Sequence, residues 1–448
     1  MKITVIGTGH VGLVAGACLA EIGHDVVCVD NDPSKIEALR AGRAPFFEPD
    51  MEAMVQRNQK RGLLSFSGVL QEGIAHSEVI FLCLGTPPLP SGEADLSVVE
   101  RVTHQIAVLA DGYKLVISKS TVPVLTGDRI QRTMDVYSGG KHEFDVASNP
   151  EFLAEGTAVF DFLYPDRIVV GVESERAEKL LREVYEPVVR QEFEWNLERP
   201  CPRDGRKIPL LVTNRHSSEL IKHASNSFLA MKISYINAIA NLCDKVGADV
   251  TQVAEGMGYD HRIGPQFLRA GIGFGGFCFP KDLQAFVWIA GKNGYDFRLL
   301  REVEQINVAQ VDSFLQKVKD QVWVLRGKTI AVWGLAFKPN TDDLRFSPAL
   351  AVIEKLQEEG ATVRAFDPKA MDDARKEYPS LTYCGSAAEA VEGADALLVL
   401  TEWPEFREID LKALSKKMVR PLMLDGRNLF DPAVVRKAGF EYYSMGRP

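Results

Sequence analysis

A glycine-rich turn between a strand pattern and a helix pattern constrains the fold of this 448-residue chain more than any other feature. The apolar run Lys2–Ile6 leads into the sequence GTGHVG at Gly7–Gly12, and Val14–Ile22 then has helical spacing. A second apolar run, Asp25–Val29, ends at Asp30. This order predicts a strand, a tight turn, a helix and a parallel strand, the βαβ unit that opens a Rossmann-like sheet.

The same turn predicts a dinucleotide site. Gly7 would make the turn, Gly9 would let the backbone approach a pyrophosphate, and Gly12 would let the helix pack on the strand. The Asp30 carboxylate can accept hydrogen bonds from a ribose diol and would repel a 2′-phosphate, so the expected cofactor is NAD rather than NADP. A purely structural turn is the alternative interpretation.

The end of the chain repeats its beginning. Further strand-like runs at 79–84, 115–118 and 145–147 alternate with helical segments, which predicts a parallel, doubly wound sheet. Lys328–Val332 before Gly334 then resembles the opening strand and turn, and Thr362–Phe366 before Asp367 resembles the second strand. We interpret this stretch as a second, diverged Rossmann-like unit that binds another nucleotide because it lacks the full glycine motif. Two unrelated α/β lobes are the alternative.

The middle of the chain is predicted to be mostly helical. The regular pattern fails at Gln191–Ile208, which resembles an exposed loop or connector, whereas Ser217–Val246 and part of Asp296–Val324 have helical spacing. The predicted fold class is therefore α/β, with two Rossmann-like doubly wound lobes joined by a mostly helical central domain. The predicted domains are 1–208 for NAD, 209–325 for dimerisation and the catalytic helix and loop, and 326–448 for the nucleotide sugar.

Composition excludes several classes of protein. Asp and Glu outnumber Lys and Arg by 61 to 52, giving a formal charge of −9, so no basic field favours nucleic acid or an anionic membrane. The apolar runs are shorter than the roughly 20 residues that span a bilayer, and no leader pattern opens the chain, so we expect a cytoplasmic protein. The seven cysteines form no CxxC pair, which argues against disulfides and structural zinc; no metal site is predicted.

The run Gly271–Asp282 contains four glycines within six residues, which suits a loop whose backbone approaches a ligand. Pro280 fits the first turn of a helix and therefore places Cys278 at a helix N-terminus, beside Lys281. The helix N-terminus and the Lys281 ammonium both favour the thiolate, the reactive form of cysteine. Asp282 lies four residues further on, within reach of the same helix side. A buried, unreactive thiol is the alternative.

Other polar residues are predicted to gather at the sheet edge. Lys222 and Asn226 are spaced i, i+4 on the predicted central helix, which alone would indicate only a solvated face. Ser120–Pro123 and Asn149–Gly156, however, each follow a predicted strand. Ligands of open α/β sheets bind at the carboxyl ends of strands, so these segments predict one crevice.

Taken together, these motifs resemble the UDP-glucose/GDP-mannose dehydrogenase family almost from end to end. The motifs that carry the resemblance are the opening GTGHVG, Gly85–Pro87, Ser120–Pro123, Asn149–Gly156, Glu219–Asn226, Gly273–Asp282, Gly334–Lys338, Asp342–Pro348 and Asp425–Arg427. The resemblance implies two successive NAD-dependent oxidations at C6 of a nucleotide sugar, from alcohol to carboxylate. The motifs around Cys278 and Glu151–Gly156 favour UDP-glucose; GDP-mannose or a UDP-N-acetylhexosamine is the alternative substrate.

The resemblance also implies roles for individual residues. Cys278 would capture the aldehyde as a thiohemiacetal that becomes a thioester. Lys222 would stabilise the developing oxyanion, with Asn226 as a second donor. Asp282 and Thr121 would position a water molecule. Either Glu155 or Glu151 would take up its proton, and the sequence does not choose between these two acids.

Binding residues follow from the same resemblance. Those expected at NAD are Gly7, Gly9, Val11, Gly12, Asp30, Lys35, Thr86, Thr121, Glu155, Lys281 and Arg345. Those expected at the substrate are Phe152, Leu153, Ala154, Glu155, Lys222, Asn226, Phe267, Leu268, Arg269, Ala270, Gly271, Phe274, Gly275, Lys338 and Arg427. Arg262 is expected to reach the substrate of a neighbouring subunit, which implies a homodimer or a higher even oligomer.

Three features depart from the family pattern. Phe277 precedes the cysteine where a small Ser is usual, Leu125 replaces a Gly, and the connector at 191–208 is long. Two other classes of protein remain as alternatives. A single-step hydroxy-acid dehydrogenase of the 6-phosphogluconate type would need neither a nucleophilic Cys nor a second nucleotide domain. A non-catalytic nucleotide sensor would be expected to have lost Cys278, Lys222 or Asp282.

Overall fold

The computed structural model describes residues 1–202 and 204–448. The chain divides into two compact units, one of residues 1–225 with 284–294 and the other of residues 226–283 with 295–448. Within the described ranges, no helix is both long enough and apolar enough to cross a membrane. The three domain boundaries expected from sequence stay a prediction.

The first unit is built on an eight-stranded sheet. Its strands are β1 Lys2–Ile6, β2 Asp25–Val29, β3 Leu64–Ser67, β4 Val79–Leu82, β5 Lys114–Ser118, β6 Phe144–Ser148, β7 Ile168–Gly171 and β8 Leu210–Thr213. Their order is β3-β2-β1-β4-β5-β6-β7-β8. All neighbours run parallel except β6 and β7, which meet antiparallel at Ser148 and Gly171. The order reverses between β1 and β4, which creates the crevice where doubly wound sheets bind ligands.

Helices cover both faces of this sheet. They are α1 His10–Glu21, α2 Pro33–Arg40, α3 Met51–Lys60, α4 Leu70–His76, α5 Ser97–Leu109, α6 Thr126–Ser138, α7 Ala158–Leu163 and α8 Glu175–Arg190. Successive residues of a strand point to opposite faces. On β4, Val79 and Phe81 therefore belong to one apolar core, and Ile80 and Leu82 belong to the other. Burial on both faces explains why these strands are continuously apolar in the sequence.

The described residues of the connector at 191–208 form no helix or strand, as predicted, and part of the segment is anchored to the first unit. Trp195 packs in a cluster of aromatic rings with Phe160 and Tyr164, at centroid distances of 5.8 and 6.4 Å. Asn196 donates a hydrogen bond to Glu21 on α1, at 3.0 Å. Glu194, Arg199 and Pro200 are exposed, as predicted for a loop, whereas the ring of Trp195 buries apolar area that a loop in water would expose. Arg203, which lies in this segment, is outside the described residues.

The helical middle and the last strands follow. The helices are α9 Arg215–Val246, α10 Val250–Gly258, α11 Cys278–Lys292 and α12 Arg298–Val322. The remaining elements are β9 Thr329–Trp333, α13 Pro348–Glu358, β10 Thr362–Phe366, α14 Met371–Glu377, β11 Thr382–Tyr383, α15 Ala387–Ala390, β12 Ala396–Val399, the 3₁₀ helix Pro404–Glu408, α16 Leu411–Ser415, β13 Leu422–Asp425, α17 Pro432–Lys437 and β14 Glu441–Ser444. The predicted long helix and helical middle are both present.

The second unit contains a six-stranded parallel sheet of order β11-β10-β9-β12-β13-β14. This order matches that of the first six strands of the other unit, β3-β2-β1-β4-β5-β6. The turn after β9 repeats the turn after β1: Gly334 has φ +94° and Gly7 has φ +98°. The predicted fold, two Rossmann-like sheets with a helical middle, is confirmed.

Candidate active site

Two of the three glycines in the opening turn are required by the protein's own packing, and the third leaves open space. A Cβ atom on Gly7 would lie 2.3 Å from the Cys83 carbonyl oxygen, and one on Gly12 would lie 1.8 Å from the Gly7 oxygen. Both positions therefore require glycine for packing and turn geometry. A Cβ atom on Gly9 would meet nothing within 4 Å, although Gly9 is the N-cap of α1. The open space there fits a pyrophosphate at a helix N-terminus, so this turn suits a dinucleotide.

Asp30 lies at the end of β2 beside this turn. Its Oδ2 atom accepts hydrogen bonds from the Thr8 amide and the Thr8 hydroxyl, both at 2.8 Å, and its Oδ1 accepts from the Asp32 amide at 3.0 Å. The carboxylate therefore braces the glycine turn and is half-buried. Thr86, also expected at NAD, is buried and donates to the Thr121 carbonyl at 2.9 Å.

Glu48 joins the dinucleotide turn to the segment that carries Glu155, and sequence reasoning did not find it. Its carboxylate accepts from the amides of Gly156 and Ala158, at 2.7 and 2.8 Å, and lies 3.1 Å from Nε2 of His10. His10 belongs to the GTGHVG turn. The available signal was a single acid between two phenylalanines and a proline, Phe46-Phe47-Glu48-Pro49, in a stretch with no helical or strand period.

In the first unit, two predicted catalytic residues form a buried ion pair. Lys222 Nζ lies 2.9 Å from Glu151 Oε1, and both side chains are almost fully buried. The other carboxylate oxygen of Glu151 accepts from the Leu153 amide at 2.6 Å. The Phe152 ring lies 5.4 Å from Lys222 Nζ and 3.7 Å from the Arg167 guanidinium carbon. Glu151 is thus positioned by its own backbone neighbour and holds the Lys222 ammonium in place.

An acid of α9, Glu219, supports the loop after β5. Glu219 accepts hydrogen bonds from the amides of Leu125 and Gly127, at 2.7 and 2.8 Å. Burial raises the pKa of Glu219 to about 7, and these two hydrogen bonds oppose the rise. Leu125 has φ +77°, so the left-handed backbone expected of a glycine is kept by a leucine.

The second unit contains three more of the predicted catalytic residues, Asn226, Asp282 and Cys278. Asn226 Nδ2 donates to Asp282 Oδ2, and Lys281 Nζ lies next to Asp282 Oδ1, both at 2.6 Å. Asp282 is buried, so its charge is balanced by the neighbouring ammonium. Cys278 is the first residue of α11, as the sequence predicted, and is half-buried.

The glycines before Cys278 are explained by contacts within the protein rather than by a ligand. A Cβ atom on Gly273 would lie 2.9 Å from Asn307 Oδ1, and one on Gly275 would lie 2.3 Å from the Phe346 oxygen. One on Gly276 would lie 2.7 Å from the Phe337 ring. Packing within the protein therefore requires glycine at these three positions, and the approach of a ligand to the backbone of this loop stays a prediction.

Phe277, which replaces the usual small residue, lies between two cations expected to bind NAD. Its ring centroid is 4.6 Å from the Arg345 guanidinium carbon and 5.7 Å from Lys281 Nζ. Arg345 also forms an ion pair with Asp343 at 2.8 Å. The aromatic ring therefore holds both cations close to the N-terminus of α11 by cation–π attraction.

The residues of the second unit that are expected to contact the substrate differ in how far their side chains are buried. In the segment 267–271, the side chains of Leu268 and Ala270 are buried in an apolar cluster, so only their backbone can contact a ligand. Arg427 is buried and donates to the carbonyls of Gly273, Leu400 and Phe337, at 2.9, 2.8 and 3.1 Å.

The remaining expected contacts in this unit are more accessible. Phe267 is exposed and has a left-handed φ of +63°. Lys338 is half-buried, with Nζ 5.4 Å from the Phe337 centroid. The side chain of Arg262 is 78% exposed and pairs with Asp260 at 2.6 Å.

Comparison with known proteins identifies the family. Three domain profiles match in order: the NAD binding domain of the UDP-glucose/GDP-mannose dehydrogenase family at residues 1–189, its central domain at 216–309 and its UDP binding domain at 331–432. The chain belongs to the UDP-glucose/GDP-mannose dehydrogenase family. The resemblance drawn from the sequence motifs is confirmed, and so is NAD as the cofactor of this family member.

Individual relatives match over the full length. The chain is 46% identical to UDP-glucose 6-dehydrogenase of Rhizobium meliloti, covering 100% of both chains. It is 44% identical to UDP-glucose 6-dehydrogenase TuaD of Bacillus subtilis, covering 100% of this chain and 93% of the relative. The structure of a UDP-glucose dehydrogenase from Pyrobaculum islandicum superposes with a TM-score of 0.89 at 36% identity, covering 100% and 98% of the two chains.

Proposed function

We propose that this chain converts UDP-glucose to UDP-glucuronate with NAD and that Cys278 carries the sugar between the two oxidations. Family membership and the full-length similarity to UDP-glucose 6-dehydrogenases support the overall reaction. The observation that carries the covalent route is the position of Cys278 at the N-terminus of α11, four residues before an Asp282 held by Asn226 and Lys281. NAD, when bound, accepts one hydride in each oxidation.

The first oxidation takes the C6 alcohol to an aldehyde. The alcohol loses its proton and a hydride, so negative charge develops on the C6 oxygen. Lys222 is the cation proposed to stabilise this charge, because Glu151 holds its ammonium in a fixed, buried position. Asn226, four residues further along α9, is the second proposed donor.

Capture of the aldehyde follows on Cys278. The thiolate sulfur adds to C6, and the oxygen takes a proton, which gives a thiohemiacetal. Loss of a hydride and of the hydroxyl proton then converts this adduct to a thioester. The N-terminus of α11 favours the thiolate that begins this sequence.

Hydrolysis releases the acid. Water adds to the thioester carbonyl, the carbon–sulfur bond breaks, and Cys278 leaves as the thiolate. Asp282 and Thr121 are proposed to position the water, and Glu151 or Glu155 to take its proton. Glu151 already accepts from the Leu153 amide and pairs with Lys222, so both of its carboxylate oxygens are fixed in place.

Binding is proposed to follow the sequence expectations. The residues proposed to hold NAD are Gly7, Gly9, Val11, Gly12, Asp30, Lys35, Thr86, Thr121, Glu155, Lys281 and Arg345. The second sheet, with Lys338 and Arg427, is proposed to hold the nucleotide half of the substrate. The three proposed domains remain 1–208, 209–325 and 326–448.

A homodimer is also part of the proposal. Phe228, Tyr235 and Leu242 recur every seven residues on α9, and they are 57, 52 and 54% exposed. Such spacing places them on one helix face, where apolar area stays in water unless another chain covers it. The exposed Arg262 would then reach the site of the partner subunit.

The decisive experiment measures products and stoichiometry together. Purified enzyme is incubated with NAD and, in separate reactions, with UDP-glucose, GDP-mannose, UDP-N-acetylglucosamine or 6-phosphogluconate. We expect UDP-glucuronate and two NADH per UDP-glucose consumed. A preference for another sugar, or one NADH per turnover, would overturn the proposed reaction.

A further inference from the structure

Lys119 is a buried lysine to which the proposed reaction gives no role. It follows the last residue of β5 and precedes Ser120 and Thr121. Its ammonium donates to Asn149 Oδ1 at 3.0 Å and to the Tyr185 hydroxyl oxygen at 3.3 Å. In the described part of the chain, no carboxylate oxygen lies within 4.0 Å of this ammonium. A buried ammonium without such a partner is unfavourable for folding, which suggests a function.

The Lys119 hydrogen bonds connect two neighbouring strand ends. Ser118 of β5 is paired with Ser148 of β6, so Lys119 and Asn149 leave the sheet side by side. Asn149 also donates to the Val169 carbonyl at 2.8 Å and accepts from the Tyr185 hydroxyl at 2.5 Å. The Asn149 side chain is thus fixed by three partners, and Lys119 is the only charged one among them.

Fixing Asn149 also restricts Glu151, two residues further along the chain. Glu151 is the acid that pairs with Lys222 at 2.9 Å, and the proline between Asn149 and Glu151 limits backbone rotation. A shift of the β6 end would therefore displace the carboxylate that holds the Lys222 ammonium. All of these contacts lie within the first unit.

The charge of Lys119 reaches the same pair. Glu151 and Lys222 both interact electrostatically with Lys119, as do the thiols of Cys18 on α1 and Cys83 after β4. Tyr185 of α8 is the other titratable group in contact, and burial raises its pKa. Burial lowers the pKa of Lys119 to about 8. A positive charge at this position attracts the Glu151 carboxylate and repels the Lys222 ammonium.

We propose that Lys119 is a positioning residue that acts through Asn149 and Glu151 to hold Lys222 in its reactive geometry and that tunes this pair by its charge. The inference rests on the proposed function, in which Lys222 stabilises the C6 oxyanion. Thr121 follows Lys119 by two residues, so the same anchor also fixes the start of the loop that carries it.

The test compares Lys119→Met with Lys114→Met. Lys114 is the control: it is also a buried lysine, but it lies at the opposite end of β5, where it donates to the carbonyls of Ile74 and Ser77 and pairs with Asp111 at 2.9 Å. Both variants remove a buried ammonium and keep a long apolar side chain. They differ in their distance from the carboxyl edge of the sheet.

We expect Lys119→Met to lower kcat at least tenfold while KM for UDP-glucose changes less than threefold. Loss of the positive charge removes an electrostatic interaction with Glu151 and Lys222, so the pH profile of kcat should move to higher pH by several tenths of a unit. Lys114→Met should keep the kcat and pH profile of the parent enzyme, even where its melting temperature falls. A Lys119→Met variant with the parent kcat and pH profile would overturn the proposal.

Hydrogen exchange separates this proposal from the proposed reaction, because it needs no turnover. Lys119→Met should speed amide exchange in segments 119–125 and 149–156, whereas Lys114→Met should not. Unchanged exchange in both segments would overturn the positioning role whichever substrate the enzyme uses. Where Lys119→Met fails to fold, Tyr185→Phe removes a shared hydrogen-bond partner but keeps the charge. That variant should lower kcat several-fold without moving the pH profile, and parent-like kcat would count against the proposal.

Discussion

Leu125 adopts a backbone conformation that suits glycine better than leucine. Its φ is +77°, and its side chain is largely exposed, so little packing compensates for the strained backbone. A non-glycine residue in this region costs roughly 1–2 kcal/mol. The amide of Leu125 donates to Glu219, which holds the turn in this conformation.

Leu125→Gly should therefore be neutral or stabilising. Relief of backbone strain should offset the extra flexibility that glycine gives the unfolded chain, about 0.5–1 kcal/mol. Leu89→Gly is the control, because Leu89 is similarly exposed but has no positive φ. Thermal unfolding should show a lower melting temperature for Leu89→Gly only. An equal loss in Leu125→Gly would contradict the assignment of strain to Leu125.

Cys278→Ser should separate binding from net oxidation. Serine lacks a readily formed anion at neutral pH, so formation of the covalent adduct should fail or stop at a slowly hydrolysed ester. We expect UDP-glucose binding to be retained and the yield of UDP-glucuronate to fall by at least 100-fold, measured by product analysis and intact mass. Cys201→Ser, the control at the other half-buried cysteine, should behave as the parent enzyme. Parent-like turnover in Cys278→Ser would mean that the thiol is only structural.

Single residues with a local signature could be predicted from the sequence, and those defined by distant contacts could not. Cys278 was placed correctly at a helix N-terminus because Pro280 marks a first helical turn. Glu48 contacts residues 38 and more than 100 positions away in the chain, so no local pattern marks it. Lys119 stands among other polar residues directly after an apolar strand, a pattern that does not reveal its partner Asn149.

At the scale of elements, α9 and the loop before α6 are coupled by one buried acid. Glu219 on α9 accepts the amides of Leu125 and Gly127, and its pKa of about 7 lies above the value of 4.5 for an unperturbed glutamate. The folded state therefore binds more protons than the unfolded state between these two values. The corresponding stability is fully present below about pH 4.5 and is lost as the pH rises through about 7.

Glu219→Gln should remove this pH dependence. The free energy of unfolding of the parent enzyme, relative to that of the variant, should fall by on the order of 3 kcal/mol between about pH 5 and about pH 8. Urea unfolding of both proteins at matched pH values measures the difference. Glu178→Gln is the control: it breaks an exposed i, i+4 pair with Arg182 and should change the free energy of unfolding by only about 0.3–0.5 kcal/mol. A constant difference between parent and Glu219→Gln would show that Glu219 titrates normally.

Elements were predictable where apolar spacing is regular. The strands that end at Asp30 and Asp367 and the long central helix were all expected from sequence. The aromatic packing of the connector was not, because Trp195 follows no period and its partner on α7, Phe160, lies 35 residues earlier in the chain. Prediction from spacing therefore misses apolar segments that pack without regular structure.

At the scale of the whole molecule, two sheets of the same strand order use the same acid differently. Asp30 is half-buried and braces the first turn through Thr8, whereas Asp367 is fully buried. Asp367 accepts from the amides of Leu335 and Ala336 and from the Trp403 indole. Both acids accept hydrogen bonds from their own turns, but the acid of the second sheet is fully buried and also accepts from an indole, so it is not exposed for a ribose. This difference supports the assignment of NAD to the first sheet and of another nucleotide to the second.

At the same scale, the exposed face of α9 predicts that the protein assembles as a dimer. Three of its apolar residues, Phe228, Tyr235 and Leu242, are more than half exposed at heptad spacing. Phe228→Glu combined with Leu242→Glu would place two charges on this face, which would have to be desolvated in an interface. We expect sedimentation velocity to show a dimer for the parent enzyme and a monomer for this double variant.

The control for assembly is Val434→Glu, which adds a charge at a similarly exposed valine on α17. This variant should remain a dimer with parent activity. If Arg262 completes the site of the partner subunit, the monomeric variant should lose most of its activity, and raising the enzyme concentration should restore part of it by mass action. A parent enzyme that sediments as a fully active monomer at assay concentration would contradict both the dimer and the role of Arg262.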